Sequence, residues 1–286
     1  MSAPGLKFAL PRSRHVLPGF SLSLGFTIFY LTSLVLIPLL ALTLRPFELG
    51  LDGMWTAIAT PRVLASLRLS FGTALAAAVI DSIFGFIIAW VLVRYRFPGK
   101  ALLDAVIDLP FALPTAVAGI ALSTLYAPTG WIGSILIEHG IRIAYTPWGV
   151  LVAMVFISLP FTVRTVQPVL SEVGHEIEEA AATLGATRLQ TITRVVLPML
   201  LPAILTGAAM AFARAAGEYG SIIFIAGNIP AISEIAPLLI VIKLEQFDYA
   251  GAAALGFIML VMSFVMLMSI NLLQAWGRRR LVAAAR

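Results

Sequence analysis

Arg214 and Glu218 stand four residues apart inside a long apolar run, and Asp81 sits alone deep inside another. Four residues on a helix bring two side chains to one face. Charges within such runs are costly, so they face a partner or a water-filled cavity. Two kinds of chemistry fit. One is a structural ion pair inside a helix bundle, with Asp81 as a further partner. The other is a translocation path in which Arg214 supplies positive potential to an anion.

Catalytic chemistry fails on residue type or spacing. Gly99-Lys100-Ala101 lacks the upstream glycine and the following Ser or Thr of a nucleotide-binding loop. His15, His139 and His175 lie in loops or tails, with no His-x-x-x-His pair for zinc. No Gly-x-Ser-x-Gly elbow occurs. An intramembrane aspartyl protease needs two buried Asp residues, and only Asp81 is deep in an apolar run. Cysteine is absent, which removes disulfides, thiolate metal sites and thiol nucleophiles. The reading is therefore not an enzyme, with no metal and no cofactor held by this chain.

The elements that position these charges are membrane helices. Of 286 residues, 60% are hydrophobic and 12% charged, and the mean hydropathy is +1.00. Soluble domains carry about 25% charged residues. Six apolar runs approach the length needed to cross about 30 Å of hydrocarbon. They are Phe20–Leu44, Leu69–Val93, Leu109–Tyr126, Trp148–Val163 with an extension to Pro168, Val195–Ala226 and Ala250–Leu273. The first run is too long for a signal-peptide core and reads as an uncleaved helix. No repeat appears. The chain reads as a single membrane domain, 1–286. Residues 1–60 are a tail, a helix and an outer loop, and residues 61–275 are the core, with a polar loop at 170–195.

A net charge of +5 raises nucleic acid as a partner, but the placement of the charges points to a bilayer. Thirteen of the nineteen basic residues fall in alternate connections: Lys7, Arg12 and Arg14; Arg94, Arg96 and Lys100; Arg164, Arg188 and Arg194; Arg278, Arg279, Arg280 and Arg286. Arg45, Arg62, Arg68, Arg142 and Lys243 lie on the other side. The positive-inside rule places both termini and the 170–195 loop in the cytoplasm.

That loop is a charged island between apolar runs. Val173, Ile177, Ala180, Ala181 and Leu184 recur at helical spacing, with Glu172, Glu176 and Glu179 on another side. Gly185 fits the left-handed position that stops a helix. Thr187-Arg188-Leu189-Gln190 reads as a capping box that opens a second short helix. Elsewhere, Pro110 and Pro114 remove two backbone donors and favour a broken third span. Broken helices line gates and binding sites in transporters, although a buried kink without function fits equally. Gly207, Ala211 and Ala215, and Ala209, Ala213 and Gly217, form two small-residue stripes for close helix contact, within the chain or with a second subunit. Ser221 and Asn228 make a hydrogen-bonding end after the fifth span, and Ile232 to Gln246 reads as an amphipathic piece along the outer interface.

Glu179-Ala180-Ala181, then Gly185, then Val195-Val196-Leu197-Pro198 resembles the EAA loop of ABC importer permeases, with Val195 in place of the family's Ile. In that family the loop is the coupling helix, which docks on a cytoplasmic ATPase. Arg94-Tyr95-Arg96-Phe97-Pro98-Gly99, the Asp108 to Gly119 stretch, Val163 to Leu170 and Gly217 to Asn228 resemble the sulfate/thiosulfate importer permeases. Arg14 to Phe20 resembles the T rather than the W type. The resemblance implies an all-α, type I importer permease with six transmembrane helices in the bacterial inner membrane. It implies a W-type sister permease, two ATPase subunits that hold ATP and Mg, and a periplasmic sulfate- or thiosulfate-binding protein. Molybdate or tungstate is the alternative cargo. The expected coupling residues are Glu179, Ala180, Ala181, Gly185, Leu197 and Pro198. The expected path residues are Arg214, Glu218, Ser221, Asn228, Pro110 and Pro114.

Overall fold

The computed structural model describes residues 19–284, and among the described residues every regular element is helical. Lys7, Arg12, Arg14, His15 and Arg286 lie outside the described residues, as do the side chains of Arg278, Arg279 and Arg280.

The chain enters through α1 (Phe20–Leu31) and α2 (Ile37–Leu44), joined by a wider π turn. Neither helix buries a side chain. Gly50, at φ 69°, breaks the line before α3 (Gly50–Ile58). Next comes α4 (Pro61–Arg94), the strut of the fold. Thr60 caps it through an acceptor contact of 3.3 Å from the Val63 N–H, and Pro61 occupies a first-turn position where its missing donor costs nothing. At 1.5 Å per residue it is about 50 Å long, so it overhangs a bilayer core.

A broken crossing follows: α5 (Lys100–Ile107), α6 (Leu109–Ala112) and α7 (Thr115–Tyr126). A short α8 (Gly133–Glu138) leads to α9 (Pro147–Glu172), which runs through Pro160 and Pro168. The island supplies α10 (His175–Thr183) and α11 (Arg188–Gln190), and a π turn at Thr191–Val196 leads into α12 (Leu197–Ala216). The chain ends with α13 (Ile222–Ile225), α14 (Ala236–Glu245) and α15 (Tyr249–Ala284).

α4, α9 and α12 pack on one another and hold the core. Thr162 of α9 is the point of closest approach. A Cβ on Gly85 of α4 would lie 2.8 Å from Thr162 Cγ2, and one on Gly207 of α12 would lie 2.9 Å from Thr162 Cα. Only glycine lets both neighbours come that close. The Gly207–Ala211–Ala215 stripe is thus spent on packing within the chain. Ala213 and Gly217 of the other stripe stay exposed. Phe71 and Phe212 meet at 6.2 Å between ring centres in the same core.

Among the described residues, five helical segments are long and apolar enough to cross a membrane: Phe20–Ile58, Pro61–Arg94, Pro147–Glu172, Arg188–Ala216 and Tyr249–Leu272. The expected third span, Leu109–Tyr126, is not one of them. Leu113 and Pro114 are extended (ψ 134° and 133°), and this splits it into a single turn and the 12-residue α7. The second span starts earlier than expected, because Arg62 and Arg68 ride on the overhanging turns of α4. Arg164 likewise sits inside α9 rather than in a loop. The fifth span stops at Ala216, not Ala226, because the chain turns at Gly217 before the separate α13. Nor does the expected interfacial piece from Ile232 lie free along a surface. Ile235, Ala236, Leu238 and Leu239 are buried, and α14 packs on α4 and α15.

Candidate coupling surface and translocation path

The island folds as a helix, a turn and a helix. Gly185 is left-handed at φ 83°. Its N–H donates to the Ala182 carbonyl at 2.9 Å, and the Ala186 N–H donates to the Ala181 carbonyl at 3.1 Å. Those two bonds are a Schellman ending, which satisfies carbonyls that the helix leaves free. Thr187 and Gln190 then exchange bonds: the Thr187 N–H donates to Gln190 Oε1 at 2.8 Å, and the Gln190 N–H donates to Thr187 Oγ1 at 3.4 Å. This is the capping box expected from the residues.

The stripe on α10 is narrower than its spacing predicts. Val173 and Ala181 are buried and Ile177 is half-buried, but Ala180 is exposed. Leu184 is 89% exposed, because it sits where the backbone leaves the helix. Leu189, at the opening of α11, is also exposed. Two large exposed apolar side chains therefore flank the turn, and Glu179 on α10 is exposed as well. Leu197 and Pro198 are half-buried and start α12.

Glu178, the residue before Glu179, turns to Arg94. Its Oε1 lies 2.8 Å from Arg94 Nε, off the line of a good hydrogen bond but well within ion-pair range. Arg94 Nη2 donates to the Val173 carbonyl at 2.8 Å.

The expected path residues fall into two groups. In the first, Arg214 is in the last turn of α12, and Glu218 lies two residues beyond it, so the pair does not share a continuous helix as the spacing predicts. They still meet, at 2.5 Å between Arg214 Nη1 and Glu218 Oε2. Glu218 Oε1 accepts from the N–H and the hydroxyl of Ser221, each at 3.0 Å. Glu218 is buried, whereas the Arg214 side chain is 32% exposed. Asp81 does not join them. It is fully buried against Ser158, whose hydroxyl lies 2.5 Å from Asp81 Oδ2 and 2.6 Å from the Met154 carbonyl. Asn228, at φ 53°, donates to the Ile223 carbonyl at 2.8 Å and closes the α13 turn.

The second group is the break at Pro110 and Pro114. Side chains at Gly119 or Gly220 would run into Ser221 or Thr115, so the turn that carries Glu218 lies directly against the first half of α7. Phe111 packs edge-on against Phe161 of α9, with centroids 5.0 Å apart. Arg164 clamps the other end. It donates to both carboxylate oxygens of Asp108 at 2.8 and 2.6 Å, to Asp104 Oδ1 at 2.7 Å and to Gln167 Oε1 at 2.7 Å. Forked pairing of this kind fixes geometry as well as charge. Sequence reasoning missed this clamp, and also the pairs Arg94–Glu178 and Arg62–Glu234, because it counted those arginines as loop charges. Arg164 and Arg94 each stand directly after an apolar run, at Val163 and Val93, which is the one local sign that they belong to a helix end rather than to a loop.

Among the described residues there is a helical bundle, a paired helix-turn island and a broken helix beside a charged turn. Together they have the form of a multi-pass membrane subunit with one polar helix-turn-helix outside its spans. Residues 81–282 match the family described as binding-protein-dependent transport system inner membrane component, and the chain belongs to that family. It is the membrane-embedded, non-enzymatic permease class of ABC importers, a multi-pass inner membrane protein. The "Sulfate transport system permease protein CysT" of Synechocystis sp. is 53% identical over 253 residues, 88% of either chain. The protein of the same description from Salmonella typhimurium is 48% identical over 270 residues, 94% of this chain and 98% of that one. In fold, the chain is similar to a bacterial ABC transporter involved in import of the acidic polysaccharide alginate. The TM-score is 0.73 at 17% identity, over 91% of this chain and 94% of that one.

Proposed function

We propose that this chain is the T-type permease subunit of an ABC importer that carries sulfate or thiosulfate across the inner membrane. The observation that supports this most directly is its near full-length similarity to relatives described as sulfate transport permeases. A W-type sister permease completes the path. Two ATPase subunits hold ATP and Mg, and a periplasmic binding protein delivers the anion. Both termini and the island face the cytoplasm, in keeping with the side that carries most of the basic residues.

In this reading Leu184, Leu189 and Glu179 form the face offered to the ATPase, with Ala180, Ala181 and Gly185 shaping it and Leu197 and Pro198 tying it to α12. Arg214 lies along the path. Glu218, itself held by Ser221, takes one side of its guanidinium, which leaves its other donors for a passing oxyanion. The break at Pro110 and Pro114 sets the first half of α7 against that turn. Closure of the ATPases moves the island, and the permease pair tilts between inward-open and outward-open states.

The test is reconstitution of the chain with its sister permease, ATPase and binding protein in vesicles. Sulfate or thiosulfate is expected to stimulate ATP hydrolysis and accumulate inside. Stimulation by molybdate or tungstate alone would move the assignment to those anions. Hydrolysis indifferent to all four would remove the importer reading.

A further inference from the structure

Arg94 sits where three elements meet. It is the last residue of α4, yet its side chain is only 7% exposed. Nη2 donates to the carbonyl of Val173, the residue that ends α9. Nε faces Glu178 of α10 at 2.8 Å. The guanidinium lies over the Trp90 ring, 5.6 Å from its centre, which favours a cation held away from water.

Neighbouring carboxylates on α10 thus face different bodies. Successive residues on a helix are about 100° apart. Glu178 is 24% exposed and turned to Arg94, while Glu179 is exposed and turned away. Ala181 and the half-buried Ile177, with Val173 just before the helix, otherwise seat it, and it packs on the π turn at Thr191–Val196. Apolar contacts of that size allow a helix to slide or roll; an ion pair with a buried arginine fixes its register.

The opposite end of α4 is clamped in the same manner. Arg62 donates from Nε and Nη2 to the two oxygens of Glu234, at 2.8 and 2.7 Å, and Glu234 is 1% exposed. The fully buried Ser70 accepts from the Ala236 N–H at 2.8 Å and so caps α14 just beyond that clamp.

We infer that Arg94 is a positioning residue for energy coupling: through Glu178 it makes α10 and α4 move as one body, and α4 carries the movement to the Glu234 segment at its far end. This rests on the importer reading above and adds to it the residue that transmits the force. Docking on the ATPase belongs to Glu179 and its apolar neighbours; transmission belongs to Glu178 and Arg94.

The experiment uses the whole reconstituted importer, with sulfate as the probe. Glu178→Gln, Arg94→Gln, the double change and Glu179→Gln are compared for retained ATPase, basal hydrolysis and anion taken up per ATP. Glu178→Gln and Arg94→Gln are expected to keep the ATPase and basal hydrolysis but to lose about tenfold in uptake per ATP, with the double change no worse than either. Glu179→Gln is expected to shed the ATPase instead. Because the chain has no cysteine, Arg94→Cys with Glu178→Cys offers a second arm. Joining the two thiols with a short bis-maleimide is expected to restore uptake per ATP without restoring any charge. Normal uptake per ATP in Glu178→Gln, loss of the ATPase from that variant, or a cross-link without effect would each overturn the inference alone. A wild-type complex that shows no anion-stimulated hydrolysis would overturn the importer reading, and this inference with it.

Discussion

Glu218 holds Arg214 with one carboxylate oxygen and Ser221 with the other, and it does so from a buried position just past the end of α12. The carboxylate is therefore a hinge pin for the turn as well as a counter-ion. Loss of Glu218 strands Arg214 and also frees the Ser221 N–H.

Glu218→Ala is accordingly expected to harm folding more than Arg214→Ala. The loss should be roughly 2–3 kcal/mol, below the range for a fully buried pair because solvent reaches Arg214. Arg214→Ala should leave the protein more stable than Glu218→Ala but reduce uptake more than its stability loss explains. Detergent melting and uptake, measured on both variants and the double change, separate the two effects. Full uptake in the double variant would show that Arg214 serves structure alone.

Gly185→Val should uncouple hydrolysis from transport while the chain still inserts. A β-branched residue resists φ 83°, at a cost on the order of 1–2 kcal/mol, and opening the Schellman turn re-aims α11 against α10. Membrane level should stay normal while stimulated hydrolysis falls. Unchanged hydrolysis and uptake would mean that the turn is not part of the lever.

Gly207→Val should destabilise the core itself. The added Cβ meets the backbone Cα of Thr162 at 2.9 Å, and a backbone atom inside α9 cannot rotate aside. Overpacking of this kind costs about 1–3 kcal/mol. Gly72→Ala on the same bundle meets nothing within 4 Å and is the matched control. Equal melting temperatures for the two variants would contradict the close approach of α9 and α12.

Glu179→Lys should release the ATPase while leaving membrane level unchanged. The side chain is exposed and makes no contact that α10 needs for folding. Burial of a charged group at a subunit interface makes loss of its partner cost roughly 2–5 kcal/mol. Pull-down of the ATPase reads this directly, and undiminished retention would place the docking face elsewhere on the island.

Much of the fold was legible because membrane helices and their caps are local signals. Apolar length marked the spans, Gly185 and Thr187 marked the island turn, and Pro110 with Pro114 marked the break. The boundaries failed where a local rule met a tertiary one. Arg62 and Arg68 read as loop because charge ends an apolar run, yet α4 is long enough to carry them past the bilayer. Ile222 to Ala226 read as more span because it is apolar, but it folds back as its own turn against α9 and α7. The candidate site was legible in part. Arg214 and Glu218 are near in sequence and were paired from spacing. Arg164 with Asp108, Arg94 with Glu178 and Arg62 with Glu234 are separated by 56, 84 and 172 positions, and no local pattern joins residues so far apart.

The absence of any buried side chain on α1 has a consequence for synthesis at the membrane. Helix α1 runs on through the π turn into α2, and neither helix buries a side chain, so this long apolar span relies chiefly on lipid and is expected to leave the insertion machinery as soon as it is made. At about 18 Å, α7 has the opposite character: it cannot span alone, and its neighbours α9 and α13 are translated after it. Nascent chains halted before residue 147 should therefore hold α1 firmly and α7 loosely, and α7 should become protected from labelling only once α13 has emerged. The order of emergence makes the first half of the chain wait for the second.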